Sequence, residues 1–263
     1  MMDLSSDDRA ELASAKSLLE NPGLAVKITN AIGAPLEKGF SLLPAKWSDV
    51  VNRGARMAIE KALDVAAATI NDNNPRRASN GLHKALAAAS GACGGAFGLA
   101  ALLVELPVST TIMLRSIADV ARSQGEQVGD IGTKLACIEV FALGGSSKSD
   151  DASETGYFAV RAALARTVSE AAKYIAERGL AEESAPALVR FIAQIASRFG
   201  VTVSEKAAAQ AVPVIGALGG AAINLIFIRH FQDMARGHFT IRRLERTYGE
   251  AAVRAEYEKL TAF

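Results

Sequence analysis

His230, Met234 and His238 fall four residues apart, which puts them on one face of a helix if that helix is unbroken. Asp233 lies among them, and imidazole and carboxylate are donors that a divalent metal accepts. Two histidines eight apart are not a ligand spacing, however, and Gly237 between them is a candidate break. They are read as capping or hydrogen-bonding histidines, and no metal or other cofactor is expected. Glu105 is the second candidate, the lone charge between Ala85 and Leu114. A carboxylate in an apolar run is either an acid of raised pKa, fit for proton transfer, or one half of an ion pair. The ion pair is favoured, with Arg115, Arg229 or Arg236 as partner. Pro107 follows closely and lacks the N–H that would reach the Leu103 carbonyl. Asn224, polar in an otherwise apolar run, needs hydrogen-bond partners if it is buried, and the freed backbone near Pro107 is one candidate.

One charged pattern occurs twice. RSIADVAR carries Arg115, Asp119, Ala121 and Arg122; RHFQDMAR carries Arg229, Asp233, Ala235 and Arg236. On a helix Arg and Asp four apart can pair, as can Asp and Arg three apart. After the second copy come Arg242, Arg243 and Arg246, so that the arginines here outnumber Asp233 and Glu245. Such a stripe either holds anionic lipid headgroups or forms a salt-bridged surface, and the second is favoured.

The elements that carry these residues read as helices throughout. Each charged pattern follows a charge-free run, Ala85 to Val104 and Ala207 to Ile228. Gly91 with Gly95, Gly94 with Gly98, and Gly216 with Gly220 are four apart, a spacing that lets two helix backbones approach closely. Both runs are long enough to span a membrane, but alanine and glycine drive insertion poorly and Gln210, Pro213 and Asn224 interrupt the second. Central helices of a soluble bundle are favoured over a membrane-inserting hairpin. Further elements are expected after a Ser5 or Ser6 cap, toward Gly33, from Pro44 to Ile70, over Ile131 to Leu143, and from Tyr157 to Gly179. Pro107 is expected to break or kink its helix. Another helix is expected to end at Gly200, with Ser204 capping a restart. A last pair flanks Gly249. The segment 144–156 is read as a flexible polar loop within a single domain spanning 1–263. The fold expected is all-α, a multi-helix bundle with the two Gly/Ala-rich helices packed together.

Composition closes off several function classes. The apolar share is 50% before 22 glycines are counted, and β-branched or aromatic runs are scarce. A net charge of +1 gives no electrostatic case for nucleic acid. Cys93 and Cys137 have no paired spacing and read as buried inert thiols. The acidic start MMDLSSDDRAELASAK has no apolar leader core, so a cytoplasmic location is expected, peripheral to or conditionally inserted in the inner membrane. No phosphate loop, dinucleotide fingerprint, nucleophile elbow or zincin helix is present, and glycine-rich GACGGAFG continues a helical pattern.

The runs VSEKAAAQAVPVIGALGGAAINLIFIRHFQDMARGHFTIRRLERTYG and GGAFGLAALLVELPVSTTIMLRSIADVARSQGE resemble the EcsC family, and the resemblance extends from about Gly23 to Leu260. That family is bacterial and is named for a protein encoded beside an ABC transporter. The resemblance brings no catalytic residues; it implies that Glu105, Pro107, Arg115, Pro213, Gly216, Gly220, Asn224, His230, Ala235, His238, Phe239, Arg242 and Arg243 match family positions. The expected function is non-enzymatic association with membrane lipids or a membrane transporter, in service of transport or an envelope process. The alternatives are a hydrolase built on buried carboxylates and histidines, and a soluble interaction scaffold. The candidate functional surface is Glu105, Arg115, Asp119, Asn224, Arg229, His230, Asp233, Arg236, His238, Arg242 and Arg243.

Overall fold

The computed structural model describes residues 4–20, 23–33, 35–69, 102–145, 156–179, 185–212 and 216–260, with side chains at 32, 69 and 216–220 left out of the account. Every regular element among them is an α-helix: α1 (Ser6–Glu20), α2 (Leu24–Ile32), α3 (Leu36–Leu42), α4 (Trp47–Thr69), α5 (Leu102–Ser123), α6 (Ile131–Leu143), α7 (Gly156–Arg178), α8 (Pro186–Ala211), α9 (Gly216–Tyr248) and α10 (Glu250–Lys259). Residues 85–101 of the first charge-free run, most of the 144–156 segment and the side chains of Gly216 and Gly220 lie outside the described set.

Local chemistry accounts for most boundaries. The Ser5 hydroxyl accepts the Asp8 amide at 3.1 Å, an N-cap for α1. Gly33, Gly125, Gly179 and Gly249 have positive φ, which stops α2, α5, α7 and α9 where an L side chain would be strained. Three expected breaks are absent. Pro107 lies inside α5, near its start, where buried Leu102 and Leu106 fasten the first turns to the core. Gly200 is interior to α8 and faces Asn52, and Ser204 donates back to the Gly200 carbonyl at 2.7 Å instead of capping a new helix. Gly237 is interior to α9. A Cβ there would stand 2.6 Å from Leu19 Cγ and 3.0 Å from the Ala15 carbonyl oxygen, so the glycine admits α1 rather than ending α9.

α8 and α9 run through the middle of the bundle. Phe141 of α6, Phe199 of α8 and Phe227 and Phe231 of α9 form an aromatic centre with ring centroids 5.1 to 6.1 Å apart. A smaller core gathers Leu12, Tyr157, Phe158, Ile241, Leu244 and Tyr257 from α1, α7, α9 and α10. Lys16 sits beside it, donating to the carbonyls of Tyr257 and Leu260 at 2.9 and 2.7 Å. Its charge thus closes the C-terminal end of α10, where the helix dipole favours a cation.

Two helix pairs position the charged patterns. Gly54 of α4 faces Leu103 and Leu106, and Met57 to Asp64 lie along Pro107 to Ile112, so α4 and α5 run parallel. α5 and α9 are also parallel. Glu105 and Asn224 meet at one end, Gln232 donates to Ser116 at 2.7 Å in the middle, and Arg243 donates to Gln124 at 3.2 Å at the other. RSIADVAR and RHFQDMAR therefore lie side by side, pointing the same way.

Candidate functional site

Glu105 is held by a lysine, not by an arginine. Lys206 of α8 donates from Nζ to Glu105 Oε1 at 2.6 Å and to Asn224 Oδ1 at 2.8 Å, and it stands 4.9 Å from the Phe227 ring centre. Lys206 and Asn224 are fully buried and Glu105 nearly so. Burial pulls the Lys206 ammonium below its ordinary range, and the Glu105 charge opposes that pull. Asn224 is buried and accepts from the Lys206 ammonium, so it has a hydrogen-bond partner as a buried amide requires. Lys206 is the last charge before the second charge-free run, and Glu105 is the first charge after the first. The buried pair ties the inner ends of the two runs together across α5, α8 and α9.

The doubled pattern is also doubled in geometry. Arg115 and Arg229 are both exposed. Asp119 accepts from Arg122 at 2.8 Å and Asp233 from Arg236 at 2.9 Å, and Lys27 of α2 stands 3.5 Å from Asp233. These pairs sit at the rim of the α5–α9 seam, and Ser116 and Gln232 are buried within it.

The remaining arginines of α9 are taken up by acids from other elements. Arg242 forks onto Glu126 at 2.8 and 3.3 Å, and Arg246 joins the same carboxylate. Burial would raise Glu126, but the two guanidiniums outweigh it and hold the carboxyl below the usual range. Arg243 meets Asp8 and Glu11 of α1. The stripe is a salt-bridged surface, as favoured from the sequence.

The histidines separate. His230 Nε2 bonds the Gly144 carbonyl at 2.8 Å, and burial lowers its pKa to about 4. His238 Nδ1 shares a hydrogen bond of 3.0 Å with the Tyr157 hydroxyl, and its Nε2 has no partner. Burial, with Arg161 and Arg242 nearby, holds His238 neutral. Among the described residues no group of His, Cys, Asp and Glu is disposed to hold a metal ion.

Around His238 lies a cluster the sequence reading passed over. Arg161 of α7 donates to Tyr157 at 3.3 Å and forks onto Glu245 at 2.7 and 3.1 Å. Glu139 of α6 is buried within electrostatic reach of Arg161, Arg242 and Glu245, and burial raises its pKa to about 7. Glu139 carried the same signal as Glu105, a lone acid in an apolar helix. Lys206 could have been found as the charge that mirrors Glu105 across the two runs.

Among the described residues, Glu105, Asp119 and Asp233 each have a cationic partner, Lys206, Arg122 and Arg236. Open apolar surface lies elsewhere, on α4 and α5. Val104 and Val108 are 74% and 50% exposed, Met57 is 42% exposed, and a cleft of about 510 Å³ runs past Met57, Pro107, Val108 and Ile112, with Glu60, Lys61, Asp64 and Thr111 completing its lining. No described helix is long and apolar enough to cross a membrane.

No curated protein and no solved structure matches the chain. A family model does, over residues 8–244, which takes in both charged patterns, the Glu105–Lys206–Asn224 centre and the clusters around His230 and His238. The chain belongs to the EcsC protein family.

Proposed function

We propose that the protein is a non-enzymatic helical protein that docks on a lipid surface through the α4–α5 edge, as an accessory to an ABC-type transport or envelope process. The observation that carries this reading is the exposure of Val104 and Val108, one turn apart on α5 and beside Met57. Val104 ends the run free of charge from Ala85, and Val108 follows Glu105, whose charge is turned inward onto Lys206. Bare apolar surface next to uncharged chain favours contact with an apolar phase. The arginine stripe supports the same choice by its occupation: Arg236, Arg242, Arg243 and Arg246 already have acidic partners, which leaves less for anionic headgroups.

Binding by this edge is therefore apolar in character, weakly sensitive to salt and to the anionic fraction of the lipid. Flotation of the purified chain with phosphatidylcholine vesicles tests it. Wild type is expected to float at low and at high salt, and a Val104→Asp, Val108→Asp variant to remain at the bottom. Equal behaviour of the two proteins, or flotation that requires anionic lipid and vanishes in salt, would contradict the reading.

A further inference from the structure

A second cleft, about 260 Å³, opens on another face of α4, where it meets the start of α6 and the end of α7. Its walls are Leu63, Ala66 and Ala67 of α4, Ile131 and Leu135 of α6, and Ile175 of α7. The one polar side chain in the lining is Lys134. Lys134 is half-buried, and among the described residues no carboxylate forms an ion pair with it.

The pattern departs from what burial usually does with lysines in this chain. Lys206 and Lys16, the two that are buried, are tied to Glu105 with Asn224 and to two backbone carbonyls. Lys134 instead lines an apolar slot, half-buried and with no ion pair to a described carboxylate, where a lysine's methylenes can cover apolar wall while its charge stays toward solvent. A slot with apolar walls and one cation complements an amphiphile with one anionic group and one apolar chain. The volume sets the chain. A cavity of about 150 Å³ accommodates six carbons as benzene, so this one takes on the order of ten. Two acyl chains do not fit, which favours a free fatty acid over a diacyl phospholipid.

We infer that this slot binds a medium-chain monocarboxylate, with the chain against Ala66, Ala67, Leu135 and Ile175 and the carboxylate on Lys134. The site goes beyond the proposed lipid docking: it lies off the α4–α5 edge and takes a single molecule in place of a surface.

Calorimetric titration of the intact chain with decanoate and with 1-decanol tests it. Decanoate should bind saturably at one site. Lys134→Gln should weaken decanoate by roughly tenfold or more, the loss of one charge-assisted hydrogen bond, and leave 1-decanol unchanged. Ala67→Trp, at an exposed position on the slot wall, should abolish both, with circular dichroism confirming the fold. No saturable decanoate binding by wild type, or equal decanoate affinity in Lys134→Gln, would overturn the proposal. Vesicle flotation should be the same for Lys134→Gln as for wild type, so the two readings fail separately.

Discussion

Lys206, fully buried, sets its ammonium against a carboxylate, an amide oxygen and a ring face. Such a centre is expensive to break from one side. Glu105→Leu or Lys206→Met alone leaves an uncompensated buried group and should destabilise by about 3–5 kcal/mol. Glu105→Leu with Lys206→Met removes both charges and should cost much less than the two single changes added together. Chemical denaturation of the four proteins measures the coupling; additive losses would show that the pair is not coupled. Glu139 makes a separate prediction in pH. Its carboxyl titrates near 7 in the fold and near 4.5 when unfolded, so its neutral form favours the folded state. That contribution is present below about pH 4.5 and is lost as pH rises through 7, on the order of 3 kcal/mol in all. His230, lowered to about 4, acts in the opposite sense, losing stability as pH falls below its ordinary range toward 4. Comparison with Glu139→Gln isolates the first effect: the wild-type curve should fall relative to the variant between pH 5 and 8, and parallel curves would contradict it.

At the level of elements, chain stops marked by glycine were legible because they need left-handed backbone. Gly33, Gly125, Gly179 and Gly249 all close helices at positive φ. The span of α6, Ile131–Leu143, was equally legible from its apolar run. Gly200 and Gly237 were misread, since a glycine that ends a helix and one that admits a neighbour look alike in sequence. The difference lies in what packs against them. Gly237→Ala turns this into a test. On an exposed helix that change stabilises by about 1 kcal/mol. Here the added methyl meets Leu19 and the Ala15 carbonyl, so a loss of about 1–3 kcal/mol is expected by thermal denaturation. A gain would mean that α1 does not lie on Gly237. The α5–α9 seam was half legible. The expectation that the two helices pack together rested on glycines outside the described residues, and the Arg-x3-Asp-x-Ala-Arg pattern itself did not give their register. That follows from Ser116 and Gln232, small polar groups whose bond crosses the seam.

For the whole molecule, the sequence posed two choices: a lipid-binding or a salt-bridged basic stripe, and apolar runs buried in a bundle or inserted in a membrane. Folding decides the first by bringing distant acids to the stripe: Glu126 to Arg242 and Arg246, and Asp8 and Glu11 to Arg243. Those pairs join residues more than a hundred positions apart, which no local pattern reveals. Among the described residues, Met57, Val104 and Val108 are exposed hydrophobics of α4 and α5, alongside Val26, Leu42 and Val201 elsewhere. An environment-sensitive fluorophore attached at Val104→Cys, and separately at Arg229→Cys, with Cys93 and Cys137 replaced by serine, compares the two ends directly. On addition of phosphatidylcholine vesicles, emission from position 104 should shift to the blue and emission from position 229 should not. A blue shift confined to position 229, or none at position 104, would contradict docking through the α4–α5 edge.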